Sequence, residues 1–592
     1  MDSKILITTA LESTWAEGSQ PVVFLGQWCL RHNRKKVWED LNYDVAKYHW
    51  DDRQKLYTDY QYLNKLHELL LFEMQKYLNK LHGTSHSIRY WRIQLGPWMG
   101  YFIPILFDRW SMLRNIKKDY DISEVYSITT KLEDFIAQDT SDFNKLSMSD
   151  NWNERIFSEL ALILGFNLKK KHCEFAESSR DEIAQVQAIG SSIKSCLRAF
   201  WQFMGYYLTS DNSVFVISPY LRLKKFLKFQ LKLGQFPVQW LRPNIRVDEK
   251  PDYFLRNEIS EWPEGFEDIA LIMMKRHIPI VYCEGYKSTL ASVKELSWPS
   301  SPKSIVTAIS WSEDDIFKLW AGSNVEKGTR LITIQHGGNY GVSKWNFLEE
   351  HQIKISDKFL SWGWQDNTNN KIVPFCNVKT IDNKPIHSPK GGVLLIGLAL
   401  PVFSYHMYSS LVTLGQWNQH FCDQVTFLEG LPKEIINQTT LRLGSPDYGC
   451  CQREKWHELL DNFPIILEEE SDCSIYKSYG KSRLCISTYN ATVFLETMSY
   501  GIPTLIFWNP DHWELRDTAV DYFDLLQDVG IFHKTPESAS NHLAEIWDDI
   551  DGWWNSDEVV FVREVFCNKY SRSINSPLDM LKAICVDNEA PL

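Results

Sequence analysis

The sequence predicts an α/β protein built on parallel sheets with helices against their faces. Short, unbroken apolar runs such as KILITTAL, VFVI, LITI and VLLI suit strands buried on both sides. Amphipathic stretches lie between them, and parallel strands need such crossovers. At 592 residues the chain exceeds what one hydrophobic core supports, so two or more domains are expected.

Hydrophobic residues make up 44% and charged residues 23%, which excludes a mainly disordered chain. A net charge of −12 argues against a nucleic-acid partner, because phosphate-backbone binding calls for a basic surplus. One stretch runs against that balance. RLKKFLKFQLK, Arg222 to Lys232, sets five positive side chains among apolar ones at helical spacing. It reads either as a solvated helix face or as a surface for a membrane or an anionic glycan. The 12 cysteines show no CxxC spacing, so neither a metal nor a disulfide framework is indicated, and no cofactor is implied. The N-terminus lacks a signal-peptide pattern, and no apolar run approaches the ~20 residues of a membrane span. A cytoplasmic location is therefore expected. Aromatic residues at 14% suit sugar faces as well as cores.

In chain order, Lys4–Leu11 and Val22–Gly26 read as the first strands. Leu63, Leu66, Leu70, Met74, Leu78 and Leu81 trace one face of a helix that Gly83 ends. IRYWRIQLGPWMGYFIPILFDRW carries Pro97 and Pro104, which predicts a kinked or broken helix lining a cleft. Strands are predicted at Val214–Ile217, Ile278–Tyr282, Ile305–Ile309 and Leu331–Ile334, alternating with helices such as Phe266–Arg276. Between Asp366 and Lys390 the composition turns polar and proline-punctuated, which marks a domain boundary. Beyond it the rhythm resumes with strands at Val393–Ile396, Thr440–Leu443, Leu484–Ser487 and Thr504–Phe507. The stretch Asp557–Cys585 reads as helical and is expected to cross back to the first domain. The division is then 1–380, 390–570 and a C-terminal helix and tail at 571–592.

The densest signal is SRLCISTYNATVFLETMSYGIPTLIF. A strand leads into a turn of small hydroxyl and amide residues, then a helix whose Ala491, Phe494, Leu495 and Met498 share one face. Gly501 and Pro503 end it. The start of that helix, with Ser487, Thr488, Asn490 and Thr492, makes an anion pocket suited to phosphate, or else a plain N-cap. A second cluster, TIQHGGNYGVSKW, ends a strand in Gln335 and His336, and Gly337 and Gly338 let backbone approach a ligand. His336 is either an acid or base for an acceptor hydroxyl or a hydrogen-bonded structural histidine. Lys344, Glu349, Glu350 and Asp357 follow as charged partners or solvated residues. Arg442 beside SPDYG suits a carboxylate-bearing sugar or pairs with Asp447, and His512, Glu514 and Arg516 stand after the strand TLIF.

The spacing of Glu496, Gly501 and Pro503 resembles the donor-binding unit of GT-B glycosyltransferases, which face two Rossmann-like domains across a cleft. The resemblance implies that fold, with helical additions in the N-terminal domain, and gives Glu496 the donor ribose. From TALEST through QHGGNYG and RLGSPDYG to YNAT, the chain is similar to a family of bacterial transferases tied to lipopolysaccharide and O-antigen clusters. That family is similar in outline to capsule transferases using CMP-activated 3-deoxy-ulosonic acids such as Kdo or pseudaminic acid. The resemblance thus implies a nucleotide-sugar donor, CMP-linked by preference, and a glycan or lipid-linked glycan acceptor, with peripheral association to the inner membrane. It makes His336 and Asp447 the catalytic candidates. Ser487, Thr488, Asn490, Thr492, Glu496 and Arg442 would hold the donor, and Gln335, Gly337, Gly338, Lys344 and Glu12 would line the acceptor side. A UDP- or GDP-sugar enzyme, a CDP-alditol phosphotransferase and a non-catalytic glycan-binding protein are the alternatives.

Overall fold

The computed structural model describes residues 3–15, 20–129, 131–171, 208–240, 242–243, 245–256, 263–381, 385–403, 412–469 and 471–586. They form three sheets, and every strand pairing within them is parallel.

The first sheet contains β1 (Lys4–Ile7), β2 (Val22–Phe24), β3 (Tyr43–Val45), β4 (Ile122–Ile128) and β5 (Leu168–Lys171), in the order β3-β2-β1-β4-β5. The second runs in plain sequence order through β6 (Val214–Ile217), β7 (Ser304–Thr307), β8 (Arg330–Ile334), β9 (Lys358–Ser361) and β10 (Ile372–Pro374). The third holds β11 (Gly392–Ile396), β12 (Thr439–Arg442), β13 (Ile466–Glu468), β14 (Ser482–Ser487), β15 (Thr504–Phe507) and β16 (Phe532–His533), ordered β13-β12-β11-β14-β15-β16. The α/β class and the parallel sheets agree with the sequence reading. The described residues before 380 form two sheets, one more than two facing Rossmann-like units require. In the first and third sheets the order reverses, between β1 and β4 and between β11 and β14. At such a reversal the crossovers leave on opposite faces, so a crevice opens at the carboxyl ends of the strands.

The helices that position these sheets are α1 (Arg53–His82), α2 (Ile88–Asp119), α3 (Leu223–Lys232), α4 (Phe347–Ile355), α5 (Leu414–Glu429), α6 (Thr492–Tyr500) and α7 (Pro577–Val586). α2 corrects the expectation of a break: it runs unbroken through Pro97 and Pro104. It is a core element, buried on most of its circumference and packed on α1 and α4, and its Met99, Gly100, Ile103 and Pro104 line a small pocket shared with those helices. An interior proline costs a helix ~3 kcal/mol, and the burial of two or three large side chains at ~2 kcal/mol each offsets that. Close packing adds to this at Gly100, where an added Cβ would lie 2.0 Å from Phe347 Cε1 on α4.

A second correction falls at Ile278–Tyr282, which is no strand. Pro279 has no N–H to give a ladder, and the amides of Ile280 and Val281 bond the carbonyls of Ala137 and Gln138, leaving a short 3₁₀ turn at Ile280–Tyr282. The run is buried as predicted, and burial alone does not decide strand from turn.

The chain crosses from the second sheet to the third between β10 and β11, inside the predicted polar boundary, of which residues 382–384 lie outside the described residues. It returns through α7, whose Leu578, Leu581 and Ile584 join Val306 and Ile332 beneath the second sheet. The Ser304 hydroxyl donates to the Cys585 carbonyl at 3.0 Å. The two crossings touch: the Asn377 amide donates to the Arg572 carbonyl at 2.9 Å, and its side chain to the Ser571 hydroxyl at 3.0 Å. Of the predicted tail, residues 587–592 lie outside the described residues.

Candidate functional site

The reversal of the third sheet lies at the carboxyl end of β14, where the STYNAT turn stands. Thr488 spans it, its hydroxyl donating to the Ile396 carbonyl at the end of β11 at 2.9 Å. The turn delivers the chain to α6 through Ala491, an extended residue (φ −147°) that gives no side-chain cap. The predicted hydroxyl and amide residues therefore do not act as an N-cap. Ser487 donates to the Tyr489 carbonyl at 3.2 Å. Asn490, 6% exposed, reaches the Ser343 hydroxyl at 3.4 Å with its amide nitrogen, and its Oδ1 is buried without a partner among the described residues. The far end of α6 is as the sequence predicts, with Gly501 at φ 72° and the face of Phe494, Leu495 and Met498 buried.

The His-Gly loop leaves the carboxyl end of β8 and meets this turn directly. The Gly338 amide donates to Thr492 Oγ1 at 3.1 Å, and an added Cβ at Gly338 would lie 2.4 Å from the Ala491 carbonyl oxygen. Only glycine fits that approach. Gln335 holds the loop in shape: fully buried, it accepts from the Trp362 amide at 2.9 Å and from Trp364 Nε1 at 2.8 Å, and donates to the Gly337 carbonyl at 2.8 Å. His336 lies between the rings of Trp311 and Tyr340, at 5.8 and 5.3 Å. Burial, with Lys379 adding, pushes its pKa down to about 3. The imidazole is therefore neutral at working pH and can accept or donate one hydrogen bond, but it does not store a proton.

Lys379 completes the cluster. It follows the crossing after β10, and its Nζ stands 4.0 Å from Glu496 Oε1 on α6 and 5.0 Å from the centre of the Tyr220 ring. The two charges share a largely buried setting, which lowers the pKa of Lys379 and raises that of Glu496, each partly offset by the other. Tyr220 and Ser218, at the carboxyl end of β6, hold φ of 59° and 46°, left-handed values that cost a non-glycine residue about 1–3 kcal/mol and concentrate at functional sites. The Tyr500 hydroxyl donates to the Lys379 carbonyl at 3.1 Å, and the Arg222 guanidinium lies 4.9 Å over the Tyr476 ring. Carboxyl ends of the second and third sheets thus converge on a neutral imidazole, an ammonium, a carboxylate and an uncapped helix start. Sequence reasoning missed Lys379 and Tyr220. A polar stretch without periodicity gave Lys379 no signal, and SPY after VFVI resembled any turn.

Over residues 4–584 the chain matches the family described as LIC12162 family transferase. The chain belongs to that family. No curated protein matches it in sequence. Among solved structures, MurG of Acinetobacter baumannii is similar over 63% of this transferase and 99% of its own chain, at 13% identity and a TM-score of 0.32, a likeness too slight to carry an argument.

The other predicted residues of the transferase fall in three places. The seam beside the His-Gly loop takes the first group: Ser343 bridges Leu515, the Lys344 amide donates to the Glu514 carbonyl at 3.0 Å, and Arg516 pairs with Glu349 at 2.7 Å. Lys344 Nζ itself lies 4.6 Å over the Tyr57 ring. A second group lies where the first sheet meets the third. Asp447 accepts the amides of Cys451 and Gln452 at 2.7 and 2.8 Å, so it orders the SPDYG loop, and Arg31 reaches the Gly449 carbonyl of that loop at 3.4 Å. Glu12 pairs with Arg34. The third place is interior. Arg442 is 6% exposed and held by Glu468, Ser478 and the Cys473 carbonyl, and pairs with Glu468 where the sequence suggested Asp447. Among the described residues, Arg442, Asp447 and Glu12 make none of the contacts around His336 and Glu496.

A cavity of about 240 Å³, lined by Trp28, Tyr48, Asp51 and Gly415 among others, separates the carboxyl ends of β2 and β3 from the start of α5. A larger one, about 620 Å³, opens at the amino ends of β1 to β4, the end of a parallel sheet where ligands are not bound. Among the described residues, no group of three His, Cys, Asp or Glu side chains is placed to hold a metal ion, and no helix is long and apolar enough to cross a membrane.

Proposed function

We propose that this transferase is a glycosyltransferase of bacterial surface-polysaccharide synthesis, working at the cytoplasmic face of the inner membrane. It moves a sugar from a nucleotide donor to a glycan or lipid-linked glycan, and a CMP-activated 3-deoxy-ulosonic acid is the donor it suits best. The observation that carries the reading is the uncapped start of α6 at the reversal of the third sheet, with Glu496 and Lys379 beside it. Helix-terminal amides and an ammonium favour a phosphate that gains charge as the sugar leaves. Such a clamp contributes on the order of 2–4 kcal/mol, or roughly a hundredfold in rate. Glu496 suits two ribose hydroxyls, and Lys379 a carboxylate on the sugar. In the transfer the anomeric carbon–oxygen bond to phosphate breaks with its electron pair going to the phosphate, the acceptor hydroxyl oxygen attacks that carbon, and the hydroxyl proton passes to the departing phosphate. His336 accepts a hydrogen bond from this hydroxyl and aims it.

The test is calorimetry with CMP, CDP, UDP and GDP on the wild type and on Glu496→Ala, followed by nucleotide release from a panel of activated sugars. CMP binding in the micromolar-to-millimolar range, weakened tenfold or more by the substitution, is expected, since hydrogen bonds to a charged group are worth ~1.5–3 kcal/mol. Binding of none of the four nucleotides would remove the reading. A phosphodiester product would identify an alditol phosphotransferase, and absence of turnover over the panel a glycan-binding protein.

A further inference from the structure

The basic stretch Arg222–Lys232 folds as predicted into a helix, and its surroundings decide between its two readings. α3 buries Phe226, Phe229 and Gln230 against the second sheet and α7. Along the edge of that buried face run Leu223 and Leu231, 54% and 64% exposed, with Leu227 between them packed partly on the core. These positions, four residues apart, form one apolar stripe. Lys224 and Lys228 are exposed along its flank. Among the described residues Lys224, Lys225 and Lys228 have no carboxylate within 4.0 Å, whereas Lys232 at the far end pairs with Asp579. A chain of net charge −12 thus concentrates unneutralised positive charge beside exposed leucines.

We propose that α3 docks the transferase onto an anionic lipid bilayer, with the leucine stripe in the headgroup boundary and Lys224, Lys225 and Lys228 against lipid phosphates. An anionic polysaccharide would satisfy the lysines and leave the leucines in water, so the apolar stripe favours the bilayer. The position of the helix gives the docking a purpose, and in that respect alone the inference rests on the proposed function. α3 starts directly after Tyr220 and Arg222, which lie against Lys379 and Tyr476. A bilayer under α3 therefore brings the cluster around Glu496 close to the membrane surface, where a lipid-linked acceptor resides.

The test is co-sedimentation of the full chain with vesicles of phosphatidylcholine, with and without phosphatidylglycerol, at low and high salt. The variants are Lys224→Glu/Lys228→Glu and Leu223→Ser/Leu231→Ser. The wild type is expected to partition onto the anionic vesicles alone and to be released by salt. The lysine pair should lose on the order of tenfold per reversed charge and the leucine pair several-fold. Thermal unfolding and CMP binding of both variants, measured without vesicles, should match the wild type. A wild type that stays off anionic vesicles, or variants that bind them unchanged, would overturn the inference, as would retention on anionic polysaccharide without vesicle binding. If vesicles bind and no nucleotide does, the enzymatic reading fails and the docking surface stands.

Discussion

Replacing Gly338 with alanine should open the junction between the second and third sheets. The added Cβ would sit 2.4 Å from the Ala491 carbonyl oxygen and 2.7 Å from Thr492 Cα, both main-chain atoms that no rotamer change moves away. Ordinary contact is on the order of 3.5 Å, so the two segments must part by about 1 Å, and overpacking of this kind costs ~1–3 kcal/mol. Parting also stretches the Gly338–Thr492 bond, now 3.1 Å, worth a further ~1 kcal/mol. The sum, about 2–4 kcal/mol, falls on a contact between sheets rather than inside one. It should therefore appear as lost nucleotide affinity, roughly 30-fold to 1,000-fold, with a smaller loss of thermal stability. Gly337→Ala is the control. Its nearest neighbour would be Asn339 Oδ1 at 3.4 Å, an ordinary contact, and affinity should hold within a few-fold. Calorimetry and thermal unfolding of both variants decide the matter. Equal affinities in the two would show that the closed contact is not part of the nucleotide-binding state.

His336→Ala should lower turnover while CMP affinity stays within about threefold, because hydrogen bonding to the acceptor is uncoupled from the donor phosphate. With the imidazole pKa pushed down to about 3, the wild-type rate should show no break near pH 6.5 due to this group, and such a break that vanishes in the variant would contradict the structure. Stability should fall in acid. Burial holds His336 and His420 near 3 and His67 and His533 near 4, while unfolded histidines titrate near 6.5. The unfolded chain then binds more protons between those values, so stability is complete above pH 6.5 and is lost as pH falls toward 4, by up to ~1.4 kcal/mol per unit for each group. Buried carboxyls with raised pKa values, Asp314 at about 6 among them, gain stability as pH falls and oppose this, so the readable quantity is a difference: wild-type urea midpoints should fall more steeply from pH 7 to 5 than those of His336→Ala, and equal slopes would refute the neutral assignment.

Local chemistry made the unit from β14 to α6 legible, since Gly501, Pro503 and a helical stripe each carry their own steric rule. The same rules misled at Pro97 and Pro104, where burial outweighs a local preference that no single-sequence pattern weighs against packing. Edge strands such as β5, spelled LKKK, and β13, spelled ILE, have one partner each and show no alternation. Charges were harder still. Arg442 looked available beside Asp447, but Glu468, 26 residues on, takes its guanidinium because β12 and β13 are neighbours. Lys379 gains its place only because the chain crosses between sheets at that point.

That double crossing has a mechanical consequence. Two peptide spans stitched together at Asn377 and Ser571 would act as a door's adjacent pins, so that any movement of one sheet against the other turns about one line. Lys379 is two residues from the pins and would barely travel as the door moves. Gly338 is bonded to Thr492 on the opposite leaf, so such turning would part that bond while the ammonium kept its post.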